Sequence, residues 1–189
     1  MVKNIILAMA LVMMICGLGG RLAVQPESND DFDELQDKYH YDEYEKLYFS
    51  MISNADEPGT PGFMAQPEAQ RALFVVLIFD MEIQNGGIAQ YFWNTGSDYA
   101  RLTSESLRTA GFDDVADLYE RFVTENAITL SEIDSYRERF PADENWADLY
   151  DFHPFEDFDN AYIKIWEETD FNQRLLDYAA QHPEVYFKE

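Results

Sequence analysis

Two closely spaced clusters of helix-breaking residues interrupt one long apolar stretch of the chain. Asn85-Gly86-Gly87 and Asn94-Thr95-Gly96 tolerate positive φ, and Gln90-Tyr91-Phe92-Trp93 lies between them. An Asn-Gly pair can also form a two-residue hairpin, but the run before it is too long and too continuously apolar for one strand. The stretch therefore predicts a helix, a left-handed (αL) cap, a short helix, a second cap and a further helix.

Helical periodicity continues on both sides of this stretch. Apolar residues recur at helical spacing over 34–53, 67–79, 98–110, 113–123, 131–136, 155–166 and 170–179. Pro58-Gly59-Thr60-Pro61-Gly62 predicts a loop from Asn54 to Gln66. A strand from Phe74 to Phe79 is the alternative there, but Ala, Glu, Gln and Arg extend the helical pattern before it. We therefore predict an all-α fold, a single orthogonal domain of about six to eight helices.

The first twenty residues have the composition of a targeting segment. Lys3 precedes an apolar run from Ile5 to Cys16, which Gly17-Leu18-Gly19-Gly20 follows. This run has the length of a signal-peptide core and is shorter than the roughly 18–20 residues that span a bilayer. We expect a signal peptide or N-terminal anchor at 1–20, an acidic flexible linker at 21–33 and the helical domain at 34–189. A signal peptide predicts an exported or periplasmic protein, and a cytoplasmic or membrane-anchored protein is the alternative.

The charge of the chain restricts the class of its partners. The formal net charge is −24 over 189 residues, while 47% of the residues are hydrophobic, which is too many for a disordered chain. Such a field excludes ordinary binding to nucleic acids or anionic membranes and favours basic proteins, cations or high solubility. The acids form two groups, which we take as candidate partner-binding residues: Asp30, Asp31, Asp33, Glu34, Asp37, Asp42 and Glu43, and then Asp143, Glu144, Asp148, Asp151, Glu156, Asp157 and Asp159.

The central stretch resembles the signature of a known family. The order Asp80, Glu82, Asn85-Gly86-Gly87, Gln90-Tyr91-Phe92, Asn94, Gly96 and Gly111 is similar to that of a bacterial DNA-mimic protein family, of the C-terminal domain type, whose members are small, acidic and all-helical. The resemblance is densest from Phe79 to Gly111 and extends more loosely from Phe32 to Phe187. Two positions depart from the family pattern. Ile88 replaces a Phe, and Thr95-Gly96-Ser97 replaces a Ser-Ser-Gly-like turn.

The resemblance implies a partner and a structural role for the signature. In the family, the mimic is a dimer that occupies the DNA-binding surface of a helix-turn-helix transcription factor. Carboxylates three or four residues apart on a helix lie about 5–6 Å from each other, the same order as the spacing of phosphates along a nucleic-acid strand. The resemblance also implies that Asn85, Gly86, Gly87, Gln90, Tyr91, Phe92, Asn94 and Gly96 serve the fold.

Enzyme motifs are missing from the sequence. It contains no metalloprotease motif, no Gly-rich phosphate loop and no nucleophile elbow, and its only cysteine is Cys16. His153 could join neighbouring acids in a metal site, but the Gly turn of hard-cation loops is missing there. The amides of Asn85, Gln90 and Asn94 could face a ligand, although capping of the backbone at two adjacent helix ends is the favoured interpretation. We therefore predict no catalytic residue, no metal and no cofactor.

The sequence thus predicts a non-enzymatic acidic module that binds a basic protein surface, such as that of a DNA-binding protein. It predicts no direct contact with nucleic acid, and none with a membrane beyond the N-terminal segment. Two alternatives stay open: an exported acidic helical protein whose charge serves solubility or cation binding, and a hydrolase that uses surface carboxylates. Export would separate the protein from any transcription factor.

Overall fold

The computed structural model describes residues 40–52, 56–140 and 146–185. Its α-helices are α1 (Tyr41–Ile52), α2 (Pro61–Ala65), α3 (Glu68–Thr109), α4 (Asp113–Glu125), α5 (Leu130–Arg139), α6 (Phe155–Thr169) and α7 (Phe171–Gln181), and 3-10 turns cover Trp146–Asp151 and Pro183–Val185. These ranges contain no strand, which confirms the all-α prediction. The predicted targeting segment, the linker and the start of the first predicted helix lie outside the described residues.

Two breaks divide α3 into three helical segments, 68–85, 88–95 and 97–109. The backbone leaves helical geometry at Gly86 (φ −160°, ψ 24°), Gly87 (φ 76°, ψ 178°) and Gly96 (φ 68°, ψ −166°). The predicted order of helix, short helix and helix is therefore confirmed. The predicted αL caps are wrong, because Gly87 and Gly96 combine positive φ with extended ψ, a region that is essentially restricted to glycine.

The segments of α3 form the centre around which α4, α5 and α6 pack. Phe79 is fully buried in the first segment. Its ring lies edge-on to Tyr91 of the second segment, Tyr119 of α4 and Tyr162 of α6, at centroid distances of 5.0, 5.9 and 5.7 Å. Edge-to-face pairs at this distance are each worth about 0.5–1.5 kcal/mol beyond the area they bury. One aromatic cluster thus joins two segments of α3 to two neighbouring helices.

Among the described helices, α3 alone is long and apolar enough to cross a membrane by length and composition. A core helix passes the same test, and 72% of the residues in the apolar window of α3 are buried inside the fold. The two breaks also prevent α3 from running straight. The structure therefore accounts for the apolar character of α3 as that of a core helix.

Candidate functional site

The first break of α3 is held by residues from α6 and from the first 3-10 turn. The Ile88 N–H, at the start of the second segment, donates to Asp159 Oδ1 at 2.8 Å. The Tyr150 hydroxyl donates to Asp159 Oδ2 at 2.6 Å and lies 3.3 Å from the Gly86 carbonyl oxygen. A Cβ atom on Gly87 would lie 2.1 Å from Tyr150 Oη and 2.2 Å from Asp159 Oδ2. Close approach as well as positive φ therefore requires glycine at this position.

The second break is held from α5. The Ser97 N–H, which begins the third segment, donates to Asp134 Oδ1 at 2.9 Å. Arg137 donates from Nε to the Trp93 carbonyl at 2.6 Å and from Nη2 to the Asn94 carbonyl, where the second segment ends. Helix starts need acceptors and helix ends need donors for their orphan backbone groups. One acid and one base, three residues apart on α5, satisfy both sides of the break.

Two side-chain amides of the signature bind a carboxylate. Gln90 Nε2 and Asn94 Nδ2 donate to Glu82 Oε2 at 2.8 and 2.6 Å. Glu82 belongs to the first segment of α3, so these bonds connect two segments across the break. For Gln90 and Asn94 the favoured sequence interpretation was therefore wrong. Asn85 lies at the end of the first segment and is partly exposed.

The fold also buries carboxyl groups. Asp80 is only 2% exposed and accepts bonds from the hydroxyls of Tyr162 (2.6 Å) and Tyr44 (2.7 Å). Burial is the main cause that raises the pKa of Asp80 and of Glu82, against the hydrogen bonds that each of them accepts. Burial also raises the pKa of Asp159, to about 6. Because burial penalises the charged form, each of these carboxyl groups binds a proton more readily than an exposed one.

The rest of the signature lies in the core or at the α5 contact. Tyr91 and Phe92 are fully buried, and the Tyr91 hydroxyl lies 2.7 Å from Thr103 Oγ1. Trp93 is partly buried, and its Nε1 donates to the Phe140 carbonyl at 2.8 Å, just after α5. The signature residues between the breaks therefore build the interior and the contact with α5.

A group of exposed acids lies on the two elements that hold the first break. Asp148 and Asp151 on the 3-10 turn and Glu156 and Asp157 in the first turn of α6 are exposed, and we call these four residues the acidic end. Among the described residues, no basic side chain forms a salt bridge with them. By contrast, Arg108 neutralises exposed acids on α4, since it lies 3.3, 2.7 and 2.8 Å from carboxylate oxygens of Asp113, Asp117 and Glu120.

The other candidate partner-binding acids divide into three groups. Asp42 and Glu43 are exposed in the first turn of α1. Asp159 is only partly exposed, and both of its carboxylate oxygens bind other parts of the fold, unlike those of its exposed neighbours. The rest lie outside the described residues: Asp30, Asp31, Asp33, Glu34, Asp37, Asp143 and Glu144.

The histidine considered for a metal site contacts another helix. His153 Nε2 lies 2.8 Å from Glu132 Oε1 of α5, and its ring packs edge-on against Phe155 at 5.4 Å. Over the described ranges, no group of three or more His, Cys, Asp or Glu side chains is arranged to hold a metal ion. In this structure, His153 joins α5 to the residues that lead into α6.

Sequence reasoning missed the residues that hold the breaks from outside α3. Tyr150, Asp134 and Arg137 carry no local signal, since they act on backbone groups more than thirty residues away in the chain. Asp159 did carry a signal. It lies four residues after Phe155 and three before Tyr162, both buried, so helical spacing places it on the inner face of α6.

Comparison with known proteins places this architecture in a family. The family model described as DMP19-like protein matches residues 64–182, which include both breaks of α3 and extend to the end of α7. No curated protein and no solved structure matches the chain significantly. DMP19 proteins are DNA mimics and are not known as an enzyme family. Because the match covers more than half of the sequence, the chain belongs to the DMP19-like protein family.

Proposed function

We propose that this protein is a non-enzymatic module that binds the basic surface of another protein in the manner of a DNA mimic. The observation that carries the proposal is the acidic end, whose four exposed carboxylates form no salt bridge within the described residues. Membership of the DMP19-like family supports the same kind of interaction. We also propose that the Asn-Gly-Gly-x-x-Gln-Tyr-Phe-x-Asn order of residues 85–94 is the signature of this family.

The acidic end is suited to replace nucleic-acid phosphates. Asp148 and Asp151 lie three residues apart on the 3-10 turn, where side chains at that spacing eclipse each other, and a basic protein that binds such carboxylates releases counterions as it does on DNA. The backbone that carries these carboxylates is held in place, because Tyr150 and Asp159 attach the 3-10 turn and α6 to the first break of α3. A preorganised surface loses less entropy on binding and so binds more tightly.

The identity of the partner depends on the compartment. We propose a DNA-binding protein, such as a helix-turn-helix transcription factor, for a protein that stays in the cytoplasm. If 1–20 is a cleaved signal peptide, we propose instead a basic surface outside the cytoplasm. Intact mass and cell fractionation of the natively expressed protein separate the two. A mass that lacks about twenty residues in the exported fraction removes the transcription factor from the proposal.

The proposal is tested by competition. Full-length protein is immobilised, captured proteins are identified, and a captured DNA-binding protein is titrated with this protein and with duplex DNA by fluorescence anisotropy. We expect the two ligands to exclude each other and the affinity to fall steeply with added salt. Simultaneous binding of both ligands, or binding that does not depend on salt, would contradict mimicry.

A pair of charge-matched variants locates the surface. The test variant neutralises the acidic end, D148N/D151N/E156Q/D157N, and the control, E105Q/E167Q/E168Q/D177N, removes the same charge elsewhere on exposed positions. Glu167 lies roughly three turns along α6 from Glu156, so the two sets are well separated on that helix. We expect the test variant to lose most of the affinity and the control to keep it. Equal losses would mean that net charge, and not this surface, attracts the partner, as in the alternative in which acidity serves solubility.

A further inference from the structure

Three oxygen atoms form a chain at the first break of α3. Asp159 Oδ2 lies 2.6 Å from Tyr150 Oη, which lies 3.3 Å from the Gly86 carbonyl oxygen. The other carboxylate oxygen, Asp159 Oδ1, accepts the Ile88 N–H at 2.8 Å. We call these four groups the latch, since they join α6, the first 3-10 turn and two segments of α3.

The latch can hold one additional proton without moving a heavy atom. The Tyr150 hydroxyl has a single hydrogen and two acceptors within reach. When Asp159 is ionised, that hydrogen binds Asp159 Oδ2 in a charge-assisted bond. When Asp159 is protonated, its own hydrogen can bind Tyr150 Oη, and the Tyr150 hydrogen can bind the Gly86 carbonyl. Oδ1 accepts the Ile88 N–H in both states, so both oxygens of the carboxyl group are hydrogen-bonded in each state.

We propose that the latch is a proton-binding device, which is closed most firmly when Asp159 carries a proton and opens more readily as the pH rises. Burial and a neighbouring acid favour the neutral form of Asp159, against the bonds from Tyr150 and Ile88, which favour the ionised form. Glu156, one turn earlier on α6, adds a negative charge, and α3 presents backbone groups rather than a cation. Neighbouring helices meet α6 through aromatic rings, with Phe122 of α4 against Phe158 and Phe171 of α7 against Tyr162.

The electrostatics of Asp159 agree with this geometry. Burial raises its pKa to about 6 against the bonds from Tyr150 and Ile88, which lower it, and Glu156 raises it further. An opened latch would return the carboxyl to water and to its ordinary pKa of 3.8. A group with a raised pKa in the closed state stabilises that state at low pH, and this stabilisation is lost as the pH rises through the raised pKa. The opening equilibrium should therefore grow about tenfold between about pH 5 and pH 7.

The latch and the acidic end share the same two elements. Asp148 and Asp151 lie within two residues of Tyr150 in the chain, and Glu156 and Asp157 lie three and two residues before Asp159. This step rests on the proposed function: a change in the latch then shifts the backbone that carries the partner-binding carboxylates. A bound cation at Glu156 would in turn favour the ionised form of Asp159, so that binding releases a proton.

The experiment uses the full-length protein and needs no partner. Carbon-13 NMR follows the Asp159 carboxyl carbon, assigned by its loss in D159N, and hydrogen exchange follows the Ile88 amide, corrected for intrinsic exchange. We expect a titration midpoint near 6, and a protection factor for Ile88 that falls about tenfold between about pH 5 and pH 7. A midpoint below about 5, or protection that stays constant or rises with pH, would overturn the proposal.

Three variants test whether the pH dependence belongs to Asp159. In D159N the asparagine amide reproduces the hydrogen bonds of the protonated state, so the pH dependence of Ile88 protection should disappear. D134N changes the equivalent acid at the second break and leaves the latch intact, so it should keep the wild-type dependence. Y150F removes a donor to the ionised carboxylate and should raise the Asp159 midpoint. Retention of the wild-type dependence in D159N would also overturn the proposal, whatever partner binds the acidic end.

Discussion

Substitution of Gly87 by alanine tests whether the first break is held by close contact. Positive φ with extended ψ costs a residue other than glycine about 1–3 kcal/mol. The new Cβ would also lie 2.1 Å from Tyr150 Oη and 2.2 Å from Asp159 Oδ2, so both side chains must move. Overpacking costs about 1–3 kcal/mol, and each lost hydrogen bond about 1 kcal/mol. We therefore expect G87A to reduce the free energy of unfolding by about 3–6 kcal/mol.

G96A is the matched control, because Gly96 has nearly the same φ and ψ but far more space. A Cβ atom there would have Asp134 Oδ1 as its nearest neighbour at 3.4 Å, an ordinary contact. G96A should therefore show the conformational cost alone, about 1–3 kcal/mol. Urea denaturation followed by far-UV circular dichroism, at fixed pH and ionic strength, measures both variants. If G87A costs no more than G96A, the contact of Tyr150 and Asp159 with the first break does not support the fold.

Three further substitutions test the contacts around α3. D159N should stabilise the protein above about pH 7, by at most about 3 kcal/mol in urea denaturation, and change little near about pH 4, because the free-energy cost of burying Asp159 grows as the pH rises from its ordinary pKa of 3.8 to its raised pKa of about 6. R137A should lower the free energy of unfolding by about 1–2 kcal/mol, since two carbonyls lose an exposed donor, and R121A, at another exposed position, should cost less than about 0.5 kcal/mol. Y44F should cost about 1–2 kcal/mol and raise the pKa of Asp80, which carbon-13 NMR can follow, because the buried carboxyl loses a donor.

The positions of the two breaks in α3 were predictable because they depend on the residue types at the breaks themselves. Glycine and asparagine tolerate backbone conformations that other residues avoid, so Asn85-Gly86-Gly87 and Asn94-Thr95-Gly96 indicated breaks without any knowledge of the fold. The extended ψ at Gly87 was not predictable, since it depends on what lies next to the break. Asp159 and Asp134 accept from amides 71 and 37 residues away in the chain, and no spacing rule connects such positions.

Because acids are abundant throughout the sequence, the acids that contribute to the fold could not be recognised from composition. The sequence grouped Asp159 with its exposed neighbours Glu156 and Asp157, because charge was counted along the chain and not around the helix. The same helix shows the distinction once its faces are separated, since Asp159 shares the buried stripe of Phe155 and Tyr162. The net charge of the chain is −24, and acids are found on apolar as well as polar helix faces. Acids on apolar faces indicate contacts within the fold, whereas acids on polar faces are the candidates for contacts with partners.

Glu82 decides between two interpretations of the signature amides. If Gln90 and Asn94 served a ligand, loss of Glu82 would affect binding more than folding. In the structure both amides donate to Glu82 Oε2, and Glu82 is only 9% exposed. E82A leaves two donors without their acceptor and should cost about 2–4 kcal/mol in urea denaturation, whereas E82Q keeps an acceptor oxygen, removes a buried charge and should cost less than about 1 kcal/mol at neutral pH. Equal and small effects of both variants would show that the amides do not need this carboxylate. That result would favour the interpretation in which the amides bind a ligand.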